Sequence, residues 1–198
     1  MSGWLIAPYA AWMALMMLLP SAPWAYAART AVTLALLLAA AGVVRQARPA
    51  DFRALRPSWG AALAGVAAGL FVGLVWIAPD RLGWYREYCV IGDPYGAAAA
   101  VPLDSVLTWV RLGGSAFVIA TAEELFFRRW LIRFAGFGWM VALFAIEHDR
   151  YLVGAVAGVV YGLVFLRRGL AAAVIAHVVT NLALGVFVLA TGRWEFWG

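Results

Sequence analysis

Long apolar runs, broken by short polar or charged stretches, make up most of this chain. The apolar positions are continuous and do not alternate, so the elements they predict are helices and not the strands of a barrel. The pattern gives seven spans: residues 4–19, 23–44, 59–78, 105–135, 139–148, 151–166 and 170–190. A helix that crosses the hydrocarbon core needs about 20 residues, so several of these are short. The shortest, 139–148, reads as a partial span held inside the bundle. Residues 79–102 mix glycine, proline and charge and read as a loop, with an interfacial helix around 84–90. The expected fold is all-α, a polytopic membrane bundle of about seven or eight transmembrane or partly spanning helices. A single membrane domain is expected over 1–198, with N-terminal helices and an outer loop in 1–104 and the core that carries the chemistry in 105–198.

Composition makes lipid the solvent. Hydrophobic residues are 66% of the chain and charged residues 13%. A soluble domain of 198 residues has too much surface to hide that apolar fraction. In lipid every backbone polar group must be paired within the protein, which again selects helices. The net charge of +5 does not point to nucleic acid, because all fifteen basic residues are arginines placed beside the apolar runs. Arg45, Arg48, Arg53 and Arg56 fill one loop; Arg128, Arg129 and Arg133 end the fourth span; Arg167 and Arg168 follow the sixth. These groups share one side if the spans alternate, whereas Asp80, Arg81, Arg86, Glu87, Asp93 and Asp104 make the intervening loop net acidic. The positive-inside rule then predicts a cytoplasmic N-terminus and an outer C-terminus, with residues 193–197 as an aromatic anchor at the outer interface. The first run lacks a basic n-region and reads as a retained helix, although Ala25, Tyr26 and Ala27 loosely resemble a cleavage site.

Two glycine series at four-residue spacing, Gly65, Gly69, Gly73 and Gly154, Gly158, Gly162, place smooth stripes on two helices and are expected to pack against other helices. The sole cysteine, Cys89, excludes an internal disulfide and a cysteine-rich metal site. No repeat or low-complexity tract is visible.

Ionisable groups are costly inside a bilayer and become the candidates for chemistry. Glu123 and Glu124 follow the apolar stretch 116–122, and the only two histidines are His148 and His177. The only asparagine is Asn181. Glu124 and Arg128 share a helix face and suit an ion pair, while Glu123 points about 100° away and is left for another partner. Phe144 and His148 are spaced alike, as are His177 and Asn181. At the α-helical rise, Glu123 lies about 20 Å and His148 about 15 Å from the turn at 136–138. His177 lies about 10 Å and Asn181 about 16 Å from Leu170, so these groups meet at similar depth.

Taken singly, each group has a plainer reading: a structural ion pair for Glu124 and Arg128, a hydrogen-bonded packing role for either histidine. Glu147 and Asp149 flank His148 at a helix end, where an interface or orienting role is expected and a functional one stays open for Glu147. Together, the set suits hydrolysis by water. A carboxylate in a low-dielectric site serves as a base, a neutral histidine helps to hold the water, and a second histidine with an amide faces a developing oxyanion. No serine–histidine–aspartate spacing is present, and Cys89 lies in the outer loop, so direct attack by water is expected in place of an acyl-enzyme.

The order Glu123-Glu124-Leu125-Phe126-Phe127-Arg128, then Phe144-Ala145-Ile146-Glu147-His148, then His177-Val178-Val179-Thr180-Asn181 resembles the CPBP family of CAAX-protease and bacteriocin-processing membrane proteins, over roughly residues 106–197. Residues 147–154, 180–185 and 190–194 resemble its exosortase-associated branch. The resemblance implies a glutamic-type intramembrane protease without a metal or cofactor. Glu123 would activate water with help from His148, His177 and Asn181 would form the oxyanion site, and Glu124 and Arg128 would hold the geometry, with Phe144 and Glu147 in support. It implies a bacterial inner membrane and a membrane-embedded or membrane-proximal peptide as substrate, a C-terminal sorting signal handled with protein-sorting machinery in preference to a prenylated protein. The segment between Arg128 and His148 is short for the family pattern, and Glu147 is an addition to it. Three other readings stand beside this one: a zinc hydrolase using Glu123, His148 and His177, a protein that binds a partner's transmembrane helix, and an ion-coupled transporter, for which no inverted repeat is visible.

Overall fold

A computed structural model describes residues 3–20, 22–47, 56–90 and 105–196. Arg48, Arg53, Asp93, Asp104 and Trp197, used above for orientation or anchoring, lie outside the described residues. The described chain is a helical bundle without strands. Its helices are α1 (Gly3–Leu18), α2 (Pro23–Ala47), α3 (Trp59–Ile77, continued by a 3-10 turn Ala78–Arg81), the short α4 (Gly83–Cys89), α5 (106–135), α6 (Phe137–Ile146), α7 (Tyr151–Arg168) and α8 (Leu170–Thr191). A last 3-10 turn covers Trp194–Phe196. The interfacial helix expected around 84–90 is α4.

Among the described residues, four stretches are long and apolar enough to cross a membrane: Trp24–Val43, Trp59–Arg81, Tyr151–Arg168 and Leu170–Thr191. α1 and α6 are apolar but shorter. α5 is helical throughout but not uniformly α: Gly114–Ile119 and Glu124–Leu131 are π-helical, on either side of the α turn Ala120–Glu123. Such wide turns are rare and gather at functional sites.

Local chemistry sets the boundaries. Ser58 and Ser105 cap α3 and α5 by accepting from the Ala61 and Leu107 amides at 3.2 Å. Gly136 and Gly169, at φ 88° and 87°, make the sharp reversals from α5 to α6 and from α7 to α8, in a conformation that side-chain-bearing residues rarely adopt. α3 buries Gly65, Gly69, Val72, Gly73 and Trp76 and turns Leu63, Leu70, Phe71 and Leu74 outward, which leaves that apolar face to lipid.

Both glycine stripes are packing faces inside the chain. A Cβ on Gly65 would lie 2.6 Å from the Ala172 carbonyl oxygen, and one on Gly69 would collide with the Ala176 carbonyl, so α3 and α8 lie backbone to backbone. Thr180 fastens this seam by donating to the Gly69 carbonyl at 2.8 Å. The other stripe receives α6: Gly162 faces Phe137 and Met140, and Gly154 faces the Ala145 carbonyl at 3.3 Å. The contrast within one stripe gives a test. Gly73 has only the Ala183 Cβ nearby, at 3.6 Å. Gly69→Ala is expected to cost about 1–3 kcal/mol through overpacking, and Gly73→Ala to be tolerated. Thermal unfolding in detergent reads the difference; equal midpoints for the two variants would contradict the seam.

The end of the bundle away from Gly136 and Gly169 is tied by charge. Asp80, after α3, is buried and pairs with Arg150 at 2.9 Å and with Arg193. Both guanidinium groups also lie over the Phe196 ring, at 4.3 and 4.6 Å. Phe196 is therefore 2% exposed and turned inward, where an aromatic anchor would have turned outward to the interface. Arg29, in the apolar body of α2, is another buried cation, set over the rings of Trp12 and Tyr26.

Candidate active site

The fold brings Glu123, Glu124 and Arg128 of α5, Phe144 at the end of α6, Glu147 and His148 in the α6–α7 turn, and His177 and Asn181 of α8 into one region. At its base Glu124 and Arg128 are fully buried and form an ion pair at 3.1 Å. The guanidinium lies 4.0 Å from the Phe144 ring centroid, with Tyr161 and Phe127 further round it. Two desolvated charges are tolerable here because each compensates the other and the cation also meets π-faces.

His177 joins this base to the space above. Its Nδ1 lies 2.9 Å from Glu124 Oε1, and its Nε2 faces Glu123 Oε2 at 3.7 Å. The ring stacks on Tyr161 with centroids 4.9 Å apart. Tyr161 donates to the Thr180 hydroxyl at 2.6 Å, and Thr180 donates in turn to the Gly69 carbonyl, so α3, α7 and α8 all fix the imidazole. Glu124 Oε1 faces both the Arg128 guanidinium and His177 Nδ1, so Nδ1 is assigned as the donor of that pair. Nε2 of the neutral ring is then an acceptor and donates to an oxyanion only as imidazolium. The spacing of His177 and Asn181, which suggests an oxyanion pair, gives no sign of this bridging position.

Asn181 donates from Nδ2 to the Ser115 carbonyl at 2.8 Å, within the first π segment of α5. One amide proton remains for another acceptor. His148 directs Nδ1 to the Phe144 carbonyl at 2.7 Å, the backbone partner of its own helix, and sits between the rings of Trp76 and Phe144. A proton on Nδ1 leaves the Nε2 lone pair free to accept.

Glu123 has a buried Oε2 with no hydrogen-bond partner among the described residues. Glu123, Glu147 and His148 each offer one ligand-type atom, and the three atoms lie within 4.8 Å of one another. Two carboxylates and an imidazole at this separation have the donor set to hold either a water or a divalent cation. The zinc set considered from sequence changes in one member: His177 Nδ1 is taken by Glu124, and Glu147 stands where the second histidine is expected. Glu147 is fixed from outside the core helices, since the Tyr9 hydroxyl of α1 donates a hydrogen bond to its Oε2. Tyr9 is buried against Phe126 and Phe127. Nothing local marks it in the sequence: it is a tyrosine beside Pro8 in an apolar run, and its partner is far along the chain. The same holds for Trp76, Tyr161 and Thr180.

These groups line a cavity of about 150 Å³, large enough for several waters or a short piece of extended chain. Arg128 does not line it. The cavity thus presents a carboxylate with one oxygen unpartnered among the described residues, a histidine acceptor and an amide donor to one space, over a sealed ionic base.

Residues 104–183 match the model of a family described as type II CAAX prenyl endopeptidase Rce1-like. The match covers about two fifths of the chain and contains Glu123, Glu124, Arg128, Phe144, Glu147, His148, His177 and Asn181. It supports a multi-pass membrane hydrolase similar to CAAX proteases. No curated protein and no solved structure matches the chain.

Proposed function

We propose that the protein is an intramembrane endopeptidase in which Glu123 activates water against a peptide bond of a membrane-associated protein. The observation that carries this reading is the buried Oε2 of Glu123, without a hydrogen-bond partner among the described residues, close to His148 in a cavity that Asn181 also lines with an amide proton to spare. Water between Glu123 and His148 Nε2 loses a proton to Glu123 as its oxygen attacks the carbonyl carbon. The oxyanion forms toward Asn181, and toward His177 when that ring is protonated. Glu123 then returns the proton to the leaving nitrogen as the carbon–nitrogen bond breaks. Glu124 and Arg128 do not touch the reacting atoms; they hold His177. A membrane-anchored C-terminal sorting signal in the bacterial inner membrane is the substrate we favour, on the likeness of residues 147–154 to the exosortase-associated branch.

The test is cleavage by purified protein in detergent of membrane peptides from the same genome, comparing wild type with Glu123→Gln, with and without a tight chelator. Cleavage that resists the chelator and disappears in the variant is expected. Equal cleavage by both proteins would sink the proposal. Asn181→Ala is expected to lower kcat by about 10²–10³ with KM little changed, the signature of a lost oxyanion donor. An unchanged kcat would remove Asn181 from the reaction.

A second reading, metal-assisted hydrolysis, is favoured by the trio Glu123, Glu147 and His148, with His148 Nδ1 anchored on a carbonyl in the manner of a metal-ligating histidine. Loss of cleavage with chelator and its recovery with zinc would select this reading. The helix-binding alternative loses its docking faces, because the chain itself covers both glycine stripes.

A further inference from the structure

The cavity is built from one half of the bundle. Its floor is made by His177 and Tyr161, and its far wall by Met16 near the end of α1, Trp76 near the end of α3 and Phe196 after α8. At the α-helical rise, Tyr161 lies about 10 Å above Arg168, whereas Trp76 lies about 25 Å above Trp59. The space therefore runs from mid-bundle toward the end where Asp80, Arg150 and Arg193 meet.

The opposite end is shut. Directly below the floor sit the buried Arg128 with its rings, then Phe137 and Met140 packed on Gly162, then the backbone seam of Gly65 against Ala172. That closed end carries exposed Arg56, Arg133, Arg167 and Arg168. At the cavity end, by contrast, Arg150 and Arg193 are matched by Asp80, and Arg193 also by Glu195. Among the described residues, four exposed arginines stand at the closed end and one, Arg81, at the cavity end, where Arg150 and Arg193 are paired with acid; this is the asymmetry that orients a bundle in a membrane.

We infer that the cavity opens to the outer face of the membrane, away from the arginine-rich end, and that it receives a polypeptide segment at the outer boundary of the bilayer. The opening rests on geometry and charge alone; the identity of the occupant as a peptide to be cut rests on the proposed hydrolytic function. The substrate class is then a membrane-anchored protein whose scissile bond lies at or just inside the outer interface.

Thiol access tests the opening without any reference to cleavage. In full-length protein with Cys89→Ser, a cysteine at Met16→Cys, or at Met13→Cys should the first variant fail to fold, reports on the cavity wall. Arg167→Cys reports on the closed end. A membrane-impermeant maleimide is expected to label the cavity cysteine in intact spheroplasts and not in inverted vesicles, with the reverse for Arg167→Cys. Labelling of the cavity cysteine from the Arg167 side, or from neither side in a folded protein, overturns the inference. The occupant is tested separately by displaying one cleavable peptide on the outer end or on the inner end of a single-span anchor. Cutting of the outer display alone is expected, and cutting of the inner display alone overturns the substrate class even where labelling succeeds. A protein that cuts neither display while its cavity cysteine labels from outside overturns the substrate class together with the hydrolytic function, and leaves the opening established.

Discussion

Glu123→Gln is expected to lower peptide cleavage by about 10²–10⁴-fold, the usual worth of a positioned general base. The thermal midpoint of the purified variant is expected to be unchanged or higher. The two outcomes have one cause. Glu123 Oε2 is buried and has no hydrogen-bond partner among the described residues, only His177 Nε2 at 3.7 Å, so its charge is a cost to folding that its surroundings repay poorly. Glutamine keeps the shape and removes that cost, but cannot take a proton from water. Function and stability should therefore move independently at this position, or in opposite directions. The measurement is a paired one: cleavage rate and detergent unfolding on the same preparation. A variant that loses activity only because it unfolds would make Glu123 a structural residue.

Arg128→Met is expected to do the reverse. Arg128 and Glu124 are both fully buried, and removing the cation leaves a carboxylate in the low-dielectric base of the site with only His177 as partner. Breaking one side of such a pair costs about 3–5 kcal/mol, enough to abolish recovery of folded protein from many membranes. Adding Glu124→Gln should restore much of that loss, since the amide oxygen still accepts from His177 Nδ1 and no charge is left behind. Yield and thermal midpoint of the two single variants and the double variant form a cycle. If the double variant is no better than Arg128→Met alone, the pair is not what stabilises this region, and the contact of the guanidinium with Phe144 contributes more than the ion pair does.

Much of this arrangement is legible in the sequence. Continuous apolar runs place the helices because lipid leaves no other way to satisfy the backbone. The spacing of Glu124 and Arg128 announces their pair, and the spacing of Phe144 and His148 announces theirs, through the Phe144 carbonyl. The depth of α6 is not legible. The apolar pattern sets the turn at 136–138 level with the basic loops, yet Phe137 and Met140 rest on Gly162, about 9 Å inside Arg168 at the α-helical rise. α6 begins within the bundle, which is why so short a helix still delivers His148 to the site. Tyr9 is hidden for another reason: an interaction between the first helix and the α6–α7 turn leaves no periodic trace in either. The place of His177 between two glutamates is likewise a matter of how α5 and α8 pack, which spacing on each helix cannot reveal.

The wide turns of α5 make that span sensitive to number more than to kind. A π turn accommodates one more residue than an α turn over a comparable stretch. Straightening Gly114–Ile119 into ordinary α geometry with all its residues kept would swing the helix beyond it by about 100° relative to the part before it. Glu123 would leave its place opposite His148, and Glu124 would leave Arg128's aromatic setting, with every functional side chain still present in the gene. A chimera that grafts these residues onto an idealised straight helix would inherit the letters and lose the register. The helix therefore has to be copied whole, by length as well as by identity, for its carboxylates to arrive at the right azimuth.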